Sequence, residues 1–245
     1  MVVALIDADG PIYRIALMCQ TPLGEDMIGN EKLGRSMVNA YVNRLKREYD
    51  HFVFTFTDSD HYWRRDVYPD YKMNRRNKDR PVDLKYLREY AMKQHESVLW
   101  DNLEADDVLG ILATSGEYPD CIVVSIDKDL DTIPCLRQKE VYGPVYRVSE
   151  AEAERNHMIQ AFTGDTVDGY PGCWRVGPGT ARKLLYPYLK GKKKKAWAWK
   201  KMLETYEKKK HDAEYALSQA RCAYILRCGD FDVESGEVKL WQPPV

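Results

Sequence analysis

The sequence predicts an α/β fold: a twisted, mostly parallel sheet flanked by helices, followed by a helical C-terminal part. Three observations carry that reading. The runs VVALI, FVFTF and CIVVSI are short, apolar and rich in β-branched residues, as buried parallel strands are. Strand and helix patterns alternate through about residue 130, and helical patterns dominate afterwards. Each apolar run ends on an acid: Asp7, Asp58 (through Thr57) and Asp127. In an open α/β sheet the ligand site lies beyond the carboxyl ends of the strands, so the three acids are expected at one edge.

The elements follow in order. Strand one covers residues 2–7. A helix over about 35–49 has Val38, Tyr41, Val42 and Leu45 at helical spacing. Strand two is about 52–57. A basic, aromatic segment runs from His61 to Arg80; Pro69 breaks it, and Pro81 opens a helix over about 82–95. Glu104 to Thr114 reads as a helix with an acidic first turn. Strand three is about 121–126, and a short hairpin surrounds Gly143 and Pro144. Ser149 caps a helix over about 150–162, with Glu152 completing a capping box. After the Gly/Pro-rich stretch 164–179 come a helix from about Thr180, a basic region and a helix over about 212–227. The expected organisation is an α/β core, 1–148, with a clamp at about 61–95. A helical part, 149–245, packs on it as one structural unit.

Length and composition set bounds. A chain of 245 residues with 44% hydrophobic content buries a real core. No apolar run approaches the roughly 18 residues of a membrane helix. VVALI is too short for the core of a signal peptide. The six cysteines form no C-x-x-C pair, so a cytoplasmic protein with reduced thiols is expected and zinc is disfavoured. Net charge is −1, which conceals a segregation. Residues 182–210 hold twelve Lys/Arg against two acids, and 61–93 hold ten against five. Basic segments beside acidic clusters suit a polyanion-binding protein with a metal pocket.

Five acidic segments concentrate the chemistry: LIDADG (Asp7, Asp9), FTDSD (Asp58), LEADD (Glu104, Asp106, Asp107), SIDKDL (Asp127, Asp129) and GDTVDG (Asp165, Asp168). Helix capping explains one or two acids in LEADD but is strained by three in four positions. Glu104 and Asp107 are three apart and share a helical face, as do Asp165 and Asp168. Hard oxygen donors without His or Cys select Mg²⁺ or Mn²⁺. The acids exceed the needs of one ion, and two ions would activate a water and stabilise the leaving oxygen of a phosphodiester.

YKMNRR brings Tyr71, Lys72, Arg75 and Arg76 near the same sheet edge, with Tyr62, Trp63 and Tyr68 interleaved. Cations that track phosphates and aromatics that stack on bases are how single strands are held. In GDTVDGYPGCWRVGPGTARKLL, Gly177 and Gly179 permit close backbone approach, Thr180 can cap a helix, and Arg182 and Lys183 begin the basic region. A helix–glycine turn–helix of this kind suits a duplex backbone.

The ordered set LIDADG, FTDS, YKMNRR, LEADDVLG, SIDKDLDTIP and GDTVDGYPGCWRVGPGTA resembles the flap endonuclease and 5′→3′ exonuclease family, in its phage type. The resemblance implies a helical arch over the site and a helix–three-turn–helix duplex contact at about 155–186. It implies metal ligation by Asp7, Asp58, Glu104, Asp106, Asp107, Asp127, Asp129, Asp165 and Asp168. It places the arch cations at Lys72 and Arg75, with Arg76 beside them. It also suggests a potassium ion on the carbonyls of Cys173, Trp174, Val176 and Gly179. The implied reaction is Mg²⁺-dependent phosphodiester hydrolysis of duplex ends, 5′ flaps and RNA/DNA hybrids, and nothing in the sequence requires more than a monomer. Two other readings stay open. The D-x-D after strand one also resembles haloacid-dehalogenase-type phosphatases, with Asp7 as nucleophile and Asp9 as acid, although Pro11 stands where that family wants Thr or Val. A non-catalytic DNA-binding module would explain the basic segments but not the acids.

Overall fold

The computed structural model describes residues 2–24, 26–75 and 79–244, so Arg76 lies outside the described residues. At the centre of the sheet, β1 (Val3–Asp7) pairs in parallel with β4 (His51–Thr55) and β6 (Ile122–Val124). β5 (Ser97–Val98) adds in parallel outside β4, and β7 (Leu136–Gln138) outside β6. The antiparallel β8 (Val145–Arg147) closes one edge, giving the order β5-β4-β1-β6-β7-β8. The short β2 (Thr21–Leu23) and β3 (Asp26–Ile28) form a separate exposed hairpin.

A central strand buries both faces, and β1 does so by alternation. Ala4 and Ile6 join Phe52 and Phe54 under α1 (Asp9–Met18), α2 (Glu31–Glu48) and α4 (Leu84–Gln94). Val3 and Leu5 face the opposite way, toward Val108, Leu109 and Leu112 of α5 (Ala105–Ser115). Ile6 is level with both Phe54 and Val124, so the three central strands end together. That register puts Asp7 at the carboxyl edge, with Asp58 and Asp127 one short loop beyond it.

The C-terminal helices build their own core. α6 (Glu150–Thr163) starts on the Ser149–Glu152 capping box. With α7 (Pro178–Leu184), α8 (Tyr186–Leu189), α9 (Lys195–Lys208) and α10 (Ala213–Cys222) it buries Met158, Phe162, Trp199, Met202 and Tyr206. In the loop joining α6 to α7, Gly164 (φ 67°) and Gly172 (φ 65°) meet backbone to backbone. A Cβ on either would lie 2.3 Å from the other's amide nitrogen. The chain after α10 returns over α5, where a Cβ on Gly110 would lie 2.2 Å from the Leu226 carbonyl.

Three expectations change. The clamp is not a helical arch across 61–95. Among the described residues it comprises the four-residue α3 (Arg64–Val67), a turn with Lys72 at φ 55°, and a 3₁₀ turn at Met73–Arg75. Pro69 and the left-handed Lys72 end helical propagation. The helix expected next, α4, is a core helix whose Leu87 and Ala91 are buried. The last helix stops at Cys222 instead of 227, because the carbonyls of Cys222 and Tyr224 accept hydrogen bonds from Arg64 and the Leu226 amide donates to Asp107. α7 begins at Pro178, two residues early, as suits proline in a first helical turn. Five cysteines are buried and all six are free. Among the described residues no helix is long and apolar enough to cross a membrane.

Candidate active site

The nine candidate carboxylates differ in their surroundings, although Glu104 lies near enough to Asp106, and Asp165 and Asp168 near enough to Asp129, to act on their charge. They separate by what neutralises them. Glu104, at the N-cap of α5, accepts from Arg64 Nη1 (2.8 Å), the Tyr71 hydroxyl (3.0 Å) and Lys72 Nζ (2.5 Å). These cations hold its pKa at about 2 against the opposing effect of burial, which is the largest single influence. Asp107 is fully buried and bound by both terminal nitrogens of Arg64 (2.6 and 2.8 Å), the Trp63 indole (3.0 Å) and the Leu226 amide (3.1 Å). Asp168 accepts from Arg75 (2.5 Å) and the Tyr71 hydroxyl (3.1 Å), with Lys72 Nζ at 3.5 Å. Three arm cations thus meet three acids.

Two further acids are spent on loop geometry. Asp58 accepts the amides of Asp60 (2.9 Å) and Asn102 (2.8 Å). Asp165 accepts the amides of Val167 and Asp168, with Lys128 at 3.6 Å from its other oxygen. Asp9 is a bracket, taking the Thr57 amide (2.9 Å) and Arg88 (2.5 Å). That role removes it as the free acid of the phosphatase alternative.

Asp7, Asp106, Asp127 and Asp129 form no salt bridge among the described residues, although Lys72 partly offsets the charge at Asp106 and Lys128 that at Asp129. Asp7 accepts the Ser125 hydroxyl (2.8 Å) and the Asp9 amide, and its pKa still rises to about 6 through burial and then the charges of Asp9 and Asp127. Asp106 accepts no hydrogen bond among the described residues; burial, Asp7 and Asp127 push it well above the carboxylate range. Asp129 rises to about 7 through burial and then Asp127 and Asp165. Asp127 caps the next turn by accepting the Asp129 amide (2.8 Å). Among the described residues, no three acidic, His or Cys side chains already stand in ligating geometry. The donor set still fits a hard divalent cation: oxygen only, mutually repelling, partly desolvated and without a salt-bridge partner among the described residues.

A sign follows for stability. A carboxyl with a raised folded pKa favours folding when protonated, and that contribution is lost as pH rises through the folded value. Without divalent metal, stability should fall by on the order of 1 kcal/mol between about pH 6.5 and 8, and Mg²⁺ should flatten the slope. The buried His157, lowered to about 3 by burial, is neutral in the folded chain, and its titration in the unfolded chain adds a smaller contribution of opposite sign at the low end of that window. Melting curves in EDTA that stay level or climb over this range would refute the reading.

The arm reaches the site by docking on the loop after α6. The Lys72 amide donates to the Asp168 carbonyl (2.7 Å), Asn74 to the carbonyls of Thr166 and Val167, and the Tyr71 ring stacks on Tyr170 at 6.0 Å. Tyr71 is 3% exposed, with Tyr62 and Trp63 also buried, so these rings serve the core and are not free to stack on bases. Lys72 and Arg75 do lie together at the sheet edge, as their spacing suggested. Gly177, Gly179, Thr180, Arg182 and Lys183 are exposed, and no atom approaches a Cβ built on either glycine. In the suggested potassium loop, the Cys173 carbonyl accepts the Val176 amide and Trp174 is 54% exposed. The sequence reading missed Arg64, Arg88 and Ser125. Arg64 looked like one more cation in a basic run, and nothing local marks it as 2% exposed.

Fold and site define an α/β protein with an acid-rich sheet edge, a cationic arm and an exposed basic segment around the start of α7. The family described as the 5′-3′ exonuclease, N-terminal resolvase-like domain, matches residues 2–161, and the chain belongs to that family. It is 26% identical over 220 residues to the exonuclease of Escherichia phage T7, covering 78% of this chain and 73% of that protein. It is 28% identical over 148 residues to the flap endonuclease Xni of Shewanella sp. (strain MR-4), covering 55% of this chain and 57% of that protein. A structure of the T5 5′-exonuclease with bound zinc ions superposes with a TM-score of 0.65 at 14% identity, over 91% of this chain and 88% of that one. A complex of the bacteriophage T5 flap endonuclease with DNA and metal ions gives 0.58 at 13% identity, over 91% and 93%. At such identities the structural likeness shows the fold.

Proposed function

We propose that the chain is a Mg²⁺-dependent 5′→3′ exonuclease and flap endonuclease that hydrolyses DNA phosphodiesters during phage-type replication, primer removal or DNA degradation. The observation that carries this reading is the set of four carboxylates at one sheet edge without a salt bridge among the described residues, in a chain of this family. Asp7, Asp106, Asp127 and Asp129 would hold the divalent ions, Mg²⁺ or Mn²⁺, with Glu104, Asp165 and Asp168 farther out. Asp58 and Asp107 support the surrounding loops and helix. When bound, such ions polarise a phosphodiester and lower the pKa of water.

The chain's own residues do the rest. Lys72 and Arg75 sit on Glu104 and Asp168 and can exchange these acids for the scissile phosphate, placing positive charge where the transition state gathers negative charge. The exposed Gly177–Lys183 segment and the lysines after α8 grip the duplex backbone. A potassium ion on the carbonyls of Cys173, Trp174, Val176 and Gly179 would anchor that grip. DNA ends, 5′ flaps and RNA/DNA hybrids are the substrates, the monomer is the working unit, and the cytoplasm is its place.

Lys72→Ala should lower turnover on a 5′-labelled duplex at least about tenfold while duplex affinity changes less than about twofold. Neutralising Lys192, Lys193 and Lys194 should instead weaken binding and flatten its salt dependence. Identical kinetic profiles for the two variants would refute this division. Binding without cleavage in Mg²⁺ or Mn²⁺ would favour the non-catalytic module.

A further inference from the structure

On the side of Asp7 away from the arm lies a cavity of about 490 Å³ between α1, α2 and the ends of β6 and β7. Drug- and cofactor-sized ligands occupy pockets of about 300–1,000 Å³, so the space suits one nucleotide. Asp7 and Ser125 form one wall, which makes the cavity continuous with the acidic edge. Ile15, Met37, Tyr41 and Val141 give it an apolar floor. Met18 and Ile126 line it while remaining 67% and 64% exposed, an apolar surface that nothing covers. Arg14, Arg44 and Lys139 stand on its rim, with Glu140 the one acid beside them. None of these three cations has a salt-bridge partner among the described residues, although the Arg44 guanidinium lies 5.7 Å from the Tyr142 ring centre.

We infer that this cavity receives the 5′-terminal nucleotide of the strand being cut, its base on the apolar floor and its 5′-phosphate on Arg14, Arg44 and Lys139. The inference rests on the nuclease reading and makes it specific. A flat, weakly polar floor accepts a base with little sequence preference. A cationic rim across from an acidic wall separates two phosphates: the terminal one goes to the arginines, and the next one lies beside Asp7. Hydrolysis there breaks the bond between the 3′-oxygen of the terminal nucleotide and the next phosphorus. Water supplies the oxygen that leaves on the new 5′-phosphate and a proton to the released 3′-hydroxyl. The product from a phosphorylated end is then a nucleoside 5′-monophosphate.

Two exposed α2 positions test this without touching the acids. Ala40→Trp fills the cavity, and Arg44→Ala removes a phosphate contact. On the wild-type chain with Mg²⁺, dAMP should inhibit digestion while deoxyadenosine should not, and 5′-phosphorylated duplex should be cut faster than 5′-hydroxyl duplex. Arg44→Ala should weaken dAMP inhibition about tenfold, as loss of one charged hydrogen bond does, and erase the end preference, whereas Ala40→Trp should abolish dAMP inhibition by occupying the space. Inhibition by dAMP without any end preference would mean that the cavity holds free product, and would overturn the strand-end assignment. Inhibition and preference unchanged in both variants would remove the cavity from catalysis. Should the wild type cleave nothing, the nuclease reading itself fails. Calorimetric binding of dAMP, lost in Ala40→Trp, would then still support the cavity, and its absence in the wild type would overturn it.

Discussion

Asp106→Asn should abolish Mg²⁺-dependent cleavage, by at least about a hundredfold, while leaving the fold and duplex affinity intact. The expectation follows from where helix α5 points its acids. Glu104 and Asp107 share one side and are tied to Arg64, whereas Asp106 faces Asp7 and Asp127. Because Asp106 accepts no hydrogen bond among the described residues, its amide replacement removes charge without removing a structural contact. Metal-free stability should even rise slightly, since repulsion from Asp7 and Asp127 is relieved. Asp127→Asn should also stop cleavage, but it disturbs the cap on the Asp129 amide, so it is the less clean probe. Duplex digestion and fluorescence anisotropy on the same Asp106→Asn preparation separate turnover from binding. Full turnover would take Asp106 out of the site.

Arg64→Met should cost about 3–5 kcal/mol of stability, read from urea denaturation. The guanidinium is 2% exposed and joins three parts of the chain. It binds Glu104 and Asp107 on α5, and the carbonyls of Cys222 and Tyr224 on the returning C-terminal segment. Methionine fills much of the space but leaves Asp107 buried without a cation and two carbonyls without a donor. Adding Asp107→Asn to Arg64→Met should recover part of the loss, because the stranded charge disappears. If Arg64→Met unfolds at the wild-type urea midpoint, the ion cluster is not what joins α5 to the C-terminal segment.

The parallel sheet and the position of its acids were legible because buried strands have a local signature. VVALI and CIVVSI needed no partner to be recognised, and the Ser149–Glu152 cap is written in four consecutive residues. The division among the acids was not legible. Glu104, Asp106 and Asp107 look alike in sequence, and only tertiary contact separates the two that form salt bridges with Arg64 from Asp106, which forms none among the described residues. The aromatic arm misled for a related reason. Tyr62 and Tyr71 alternate with cations as a nucleic-acid platform would, yet the docked loop of Asp165–Tyr170 buries them. Long-range docking also fixes Lys72 in a left-handed turn that helical spacing alone would not suggest.

Diffraction from crystals soaked in Mn²⁺, collected at the manganese absorption edge, tests the central claim most directly. The arrangement of unmatched acids predicts anomalous peaks within ligating distance of Asp7, Asp106 and Asp127, lost or weakened in Asp106→Asn. Ordered manganese found only elsewhere, with those carboxylates bare at saturating metal, would contradict it.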